Sequence, residues 1–128
     1  MSRRLPAALL AVLALAACDR STSPESSGAS PAASRASAKA ASAGADLAAF
    51  PEMMLTGYPI EDLALRPSFQ LACEQSLRAL ASDLDAAGLG EIAVVVGHLA
   101  PAAAGGDRRG YNAAAVVADG RVQAVYRK

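Results

Sequence analysis

The dipeptide Asp119-Gly120 constrains this chain more than any other feature. It separates two strand-like runs, Tyr111 to Ala118 and Arg121 to Arg127. A two-residue turn between antiparallel strands needs positive φ at both central positions, and Asp-Gly supplies it at low steric cost. The C-terminal part is therefore expected to be a β-hairpin. Upstream, Glu91 to Gly97 holds the β-branched run Ile92-Ala93-Val94-Val95-Val96 and reads as a central strand. Before it, Phe69, Cys73, Leu77, Leu80 and Leu84 recur at spacings of four, four, three and four, which is one face of an α-helix. Pro67 and Ser68 suit its start and Gly88 its end. Asp46 to Phe50 is a short apolar run stopped by Pro51, as in a buried strand. Thr56-Gly57-Tyr58-Pro59 is a turn cluster, Ile60 to Leu65 a helical turn, and Pro101 to Gly110 a loop. Strand, helix, strand and hairpin in this order give an α/β fold class. One long helix is too few to cover such a sheet, so residues 45–128 are expected to be part of a larger fold.

The first 44 residues differ in kind. Arg3 and Arg4 precede an apolar run from Leu5 to Ala17, too short to cross a bilayer as a helix and laid out like a secretory signal. It closes on Leu15-Ala16-Ala17-Cys18, which resembles a bacterial lipobox. Residues 1–18 thus read as a signal-like segment. Residues 19–44 are rich in Ser, Ala and Pro and read as a disordered or linker stretch. A lipoprotein anchored through Cys18 with a non-catalytic interaction domain and a misread frame are both open readings of this region. A first-helix remnant over 33–44 is a further open reading.

Charge and composition exclude several classes. Lys plus Arg and Asp plus Glu both number 12, so no basic excess exists to neutralise a phosphate backbone, and nucleic acid is not an expected partner. Two cysteines and one histidine make neither a disulfide framework nor a convincing metal site. No phosphate loop, zinc-protease motif or nucleophile elbow occurs. Glu52 stands where an apolar strand leaves the sheet, beside Phe50, Met53 and Met54. Those apolar neighbours are expected to raise the pKa of a carboxylate there, which suits a general base, although a loop carboxylate on the surface fits the same pattern. Cys73 lies on the apolar helix face and reads as a buried hydrophobe, His98 as a structural or surface histidine, and Asp107-Arg108-Arg109 as a solvated loop. Pattern alone makes Lys128 a solvated lysine.

An ordered series of motifs changes that reading. Gly44-Ala45-Asp46-Leu47-Ala48-Ala49-Phe50-Pro51-Glu52 is followed by Leu55-Thr56-Gly57-Tyr58-Pro59-Ile60-Glu61-Asp62-Leu63. Next come Leu65-Arg66-Pro67-Ser68-Phe69, Ala93 to Gly97, Tyr111-Asn112-Ala113-Ala114, Asp119-Gly120-Arg121 and Tyr126-Arg127-Lys128. The series resembles nitrilase-type carbon-nitrogen hydrolases, and more narrowly the glutaminase domains of bacterial glutamine-dependent NAD synthases. The resemblance implies a partial α-β-β-α sandwich over 45–128. It implies a Glu-Lys-Cys amidase in which Glu52 and Lys128 are the acid–base and charged members, with the cysteine absent from this sequence. It places Tyr58 near the glutamine site and makes Tyr111 and Asn112 supports of the sheet. The intact family hydrolyses glutamine, passes ammonia to an ATP- and magnesium-dependent synthetase domain, assembles as homo-oligomers and works in the cytoplasm. These 128 residues are accordingly expected to be a fragment, inactive alone and without a cofactor of their own.

Overall fold

A computed structural model describes residues 31–104 and 108–128, together with the backbone of 11–13. Five strands form one sheet in the order β1-β2-β3-β4-β5: β1 is Ala11–Leu13, β2 Leu47–Ala49, β3 Ala93–Ala100, β4 Tyr111–Ala118 and β5 Arg121–Arg127. The first three strands are parallel, and β4 and β5 run antiparallel to their neighbours. Helix α1 is Pro31–Ser42, helix α2 is Pro67–Ala86, and a 3₁₀ turn spans Glu61–Leu65.

The expected hairpin is present. Asp119 has φ 51° and Gly120 φ 69°, as a two-residue primed turn requires. The helix face is present as well: Cys73, Leu77, Leu80 and Leu84 are buried and Phe69 is half-buried. α2 ends in a Schellman motif. Leu89 N–H donates to Leu84 O at 2.8 Å and Gly88 N–H to Asp85 O at 2.9 Å, with Gly88 at φ 71°.

Two expectations for the N-terminal region need correction. Residues 31–42, read as part of a linker with a first-helix remnant over 33–44 as the alternative, form α1, which buries Ala33, Ser37 and Ala40. Its end is closed by Ala45 N–H donating to Ala40 O at 3.1 Å. Small residues four and three apart make this face, so a stretch with little hydrophobic signal still packs closely. Residues 11–13, read as part of a leader, pair in parallel with Leu47–Ala49. A short apolar run is equally suited to a buried parallel strand. Cys18 and the rest of the lipobox lie outside the described residues, as does 19–30.

The main core lies between the helices and one face of the sheet. Ala33 and Ala40 of α1 and Leu77, Leu80 and Leu84 of α2 meet Val94 and Val96 of β3 and Ala115 and Val117 of β4. Residues of the opposite sheet face, Val95, Ala114 and Val116, are only half-buried, and Tyr126 on β5 is 79 % exposed. Among the described residues the sheet is thus packed on one side, as expected of a partial sandwich.

His98, the only histidine, is sealed in the sheet and 2 % exposed. Neither ring nitrogen meets hydrogen-bond geometry with any described group. Burial pushes the imidazole below its ordinary 6.5, against weaker opposing pulls from the Leu99 backbone and the Glu74 carboxylate. The unfolded chain therefore takes up a proton near pH 6.5 and the folded chain does so only at lower pH. Stability is retained above 6.5 and is lost as pH falls from there through the folded value. Urea unfolding followed from pH 7.5 to pH 5 is expected to show a falling midpoint, and His98→Leu to flatten that slope.

Candidate active site

Glu52, Asn112 and Lys128 come together at the edge where the parallel strands end. β2 stops at Ala49, and Phe50 stays joined to β3 through Phe50 N–H donating to Val95 O at 2.8 Å. The chain then crosses over Gly97. Leu55 N–H donates to Gly97 O at 3.2 Å, and Met53 sits at φ 54° in the left-handed region. A Cβ on Gly97 would meet Pro51 O at 2.6 Å, Glu52 Cα at 2.7 Å and Met53 N at 2.7 Å. Glu52 is where it is because β3 has no side chain beneath it. The hairpin supplies the other two residues. Asn112 is the second residue of β4, and Lys128 follows the last residue of β5. The strands are locked at this end by Lys128 N–H donating to Asn112 O at 2.8 Å.

Lys128 Nζ donates to Glu52 Oε1 at 3.2 Å, joining residues 76 positions apart in the chain. Asn112 Nδ2 donates to the same oxygen. The expected rise in the Glu52 pKa needs correction: the Asn112 bond first, then the bond and positive charge of Lys128, hold its carboxyl below the ordinary carboxylate range and outweigh the opposing desolvation. The pair borders an open groove of about 250 Å³ whose wall includes Phe50, Gly97, Ala114, Tyr126 and Arg127. Arg127 is occupied on one side by the Tyr111 ring, 5.1 Å from its centroid. A carboxylate held ionised, with an ammonium beside it, can serve acid–base chemistry on a polar, neutral substrate.

Other candidates stand elsewhere. Tyr58 is 79 % exposed on the turn after Glu52 and does not line the groove. Cys73 is packed with Met53 and Leu99, and burial pushes its thiol up, away from the reactive thiolate. Among the described residues no three His, Cys, Asp or Glu side chains are grouped to hold a metal ion.

Of three residues that position this end of the sheet, Gly97 and Gln70 have no role in the sequence reading and Asn112 only that of a sheet support. Gly97 carries a legible signal, since an isolated glycine in a strand marks close backbone approach. Gln70 is a polar residue on the apolar helix face. It is buried, donates to Ala64 O at 2.6 Å and Arg108 O at 2.7 Å, and accepts from Ala102 N–H at 3.0 Å, so it ties α2 to the 3₁₀ turn and the loop before β4. Asn112 has no local signal, because its partner is sixty positions away.

The carbon-nitrogen hydrolase family model matches residues 10–128. The chain belongs to the carbon-nitrogen hydrolase family. The match begins within the apolar run read above as a leader, in accord with the pairing of residues 11–13. Among curated proteins, the chain is 48 % identical over 84 residues to the glutamine-dependent NAD(+) synthetase of Xanthomonas campestris, covering 66 % of this chain and 14 % of that protein. It is 42 % identical over 85 residues to the enzyme of the same name from Thermotoga maritima, with 66 % and 13 % covered. The chain therefore spans about a seventh of these relatives. Among solved structures it is similar to the glutamine-dependent NAD+ synthetase of Acinetobacter baumannii, with a TM-score of 0.61, 33 % identity, and 74 % of this chain and 16 % of that one covered. An amidase of the nitrilase superfamily from Nesterenkonia gives a TM-score of 0.52 at 27 % identity, covering 74 % of this chain and 34 % of that one. No described helix of this carbon-nitrogen hydrolase is long and apolar enough to cross a membrane.

Proposed function

We propose that Glu52 and Lys128 are two members of a glutamine-hydrolysing site and that this sequence forms part of a glutamine-dependent NAD synthetase. The observation that carries the reading is the 3.2 Å contact between Lys128 Nζ and Glu52 Oε1, at the strand ends and bordering the groove. In this reading a cysteine thiol attacks the side-chain amide carbon of glutamine. Glu52 takes the thiol proton as the carbon–sulfur bond forms, then returns it to the departing nitrogen as the carbon–nitrogen bond breaks and ammonia leaves. Water, relieved of a proton by Glu52, cleaves the thioester to release glutamate. Lys128 stabilises the thiolate and the oxyanion of the tetrahedral intermediate. ATP and magnesium belong to the later ligase step of such an enzyme, and no described residue is assigned to them. Use of ATP places the work in the cytoplasm.

Among the described residues no thiol lines the groove. Cys73 is buried away from the groove, and Cys18 lies outside the described residues. The 128-residue polypeptide by itself is expected to release no ammonia from glutamine above a buffer blank. The reading is tested by replacing the matching segment of the Thermotoga maritima relative with residues 44–128 and measuring glutamine-dependent ammonia release. The chimera is expected to be active. Glu52→Gln and Lys128→Met within it are each expected to lower kcat by about 10²-fold or more, the usual scale for loss of an acid–base or oxyanion group. A folded, active chimera indifferent to both substitutions would sink the proposal.

A further inference from the structure

We infer that Asn112 is a positioning residue for Glu52: it holds Oε1 of the carboxylate and thereby reserves Oε2 for the proton. The inference rests on the reading of Glu52 as the acid–base group of the site. Both bonds that the carboxylate receives, from Asn112 Nδ2 and from Lys128 Nζ, end on Oε1, and Oε2 takes neither. An ionised carboxylate only accepts, so the amide nitrogen must face it, and that bond has a defined direction. Lys128 alone would be a weak guide. Its side chain is 79 % exposed, long and freely rotating, and an exposed ion pair of this kind fixes little. Asn112 is short and is mounted on a strand whose own carbonyl holds the Lys128 backbone at 2.8 Å. One residue therefore sets the position of both members of the pair, the carboxylate through its amide and the lysine through its main chain. Asn112 also leaves the carboxylate free to take a proton, because an amide donates a hydrogen bond without offering a charge.

The placement matters because the other ties of the crossing segment, the bonds Phe50 N–H to Val95 O and Leu55 N–H to Gly97 O and the buried Phe50 and Met53 side chains, leave the Glu52 carboxylate itself unguided. Without the amide its side chain is free to turn toward solvent, of which it already sees a good part, with 48 % of its surface exposed. A carboxylate in several rotamers presents its basic oxygen to the reacting thiol only part of the time.

NMR on the 128-residue polypeptide tests this without any need for turnover. Asn112→Leu keeps the approximate shape and removes the donor. The Glu52 side-chain carboxyl carbon is expected to titrate at higher pH in this variant, and the Glu52 Hα–Hβ couplings are expected to average over rotamers. In Glu52→Gln, where β4 is untouched, the Asn112 side-chain amide protons are expected to move upfield and exchange faster, while the Lys128 backbone amide stays protected. If Asn112→Leu does not fold, the Glu52→Gln measurement decides. An Asn112 amide that ignores Glu52→Gln would overturn the inference. So would an unchanged Glu52 titration and coupling pattern in a folded Asn112→Leu. Neither measurement depends on hydrolysis. A silent chimera with these shifts present would therefore fail the proposed activity alone, and an active chimera without them would fail this inference alone.

Discussion

Gly97→Ala is expected to lift Glu52 away from Lys128 and Asn112. The added methyl has nowhere to go, because its three nearest neighbours, at 2.6 to 2.7 Å, are main-chain atoms of Pro51, Glu52 and Met53 that cannot rotate aside. The crossing segment must rise or β3 must bend. Either movement stretches the Leu55 N–H to Gly97 O bond, already 3.2 Å long, and withdraws the carboxylate from both donors. Overpacking of this kind costs about 1–3 kcal/mol. Two measurements check it together: a lowered urea midpoint, and a Glu52 titration moved up toward the ordinary carboxylate range as the Asn112 bond and Lys128 are lost. Gly97 has no positive φ among the glycines that do, so space and not backbone conformation is what excludes a side chain here. A fully stable Gly97→Ala with an unshifted Glu52 would show that the crossing is not as tight as described.

Leu80→Ala is expected to be the most destabilising of the substitutions considered. Leu80 is completely buried on α2, in the cluster formed with Val94, Val96, Ala115 and Val117. Truncation removes its transfer energy and leaves a cavity that the sheet cannot collapse to fill, at a cost of about 2–5 kcal/mol. Domains are stable by only about 5–15 kcal/mol, so this is a large fraction of the total. Each kcal/mol moves the thermal midpoint by roughly 4–8 °C in a body of this size. A scan by circular dichroism should show the loss directly. A midpoint within a degree or two of the parent would mean that α2 is not the helix that holds the sheet. The exposed Leu71, 52 % accessible on the same helix, provides the internal control, since Leu71→Ala removes a similar side chain from solvent.

What was legible in the sequence follows from how strongly each element marks itself. α2 shows a heavy apolar face at helical spacing, and the Asp119-Gly120 turn has few conformational alternatives, so both stand where the pattern places them. β3 runs three residues beyond Gly97, and His98, Leu99 and Ala100 are all buried in spite of the polar ring. α1 is legible only as a helix remnant over 33–44, because its buried face is Ala33, Ser37 and Ala40, side chains too small to raise a periodic signal and well suited to close packing. The strand at 11–13 was hidden by an ambiguity of length, since a leader and a fully buried parallel strand are both short apolar runs. At the site, the place of Glu52 after an apolar strand marks it as a candidate base, while Lys128 could be named only through family resemblance. No local pattern joins residues 76 apart. The bond from Asn112 to Glu52 becomes visible only once the crossing segment is seen against β3 and β4.

The sheet's order carries a consequence for how the site comes into being. β4 and β5 meet through a two-residue turn, a closure of the kind completed in about 1–10 μs. β2 pairs with β3 across the intervening 3₁₀ turn and α2, a parallel crossover with a much larger loop to close. Lys128 and Asn112 belong to the fast, local unit and Glu52 to the slow, long-range one. The hairpin therefore prepares one amide and one ammonium in advance, and the arriving carboxylate completes the constellation. Assembly of the charge pair is the chain's report that its parallel half has docked.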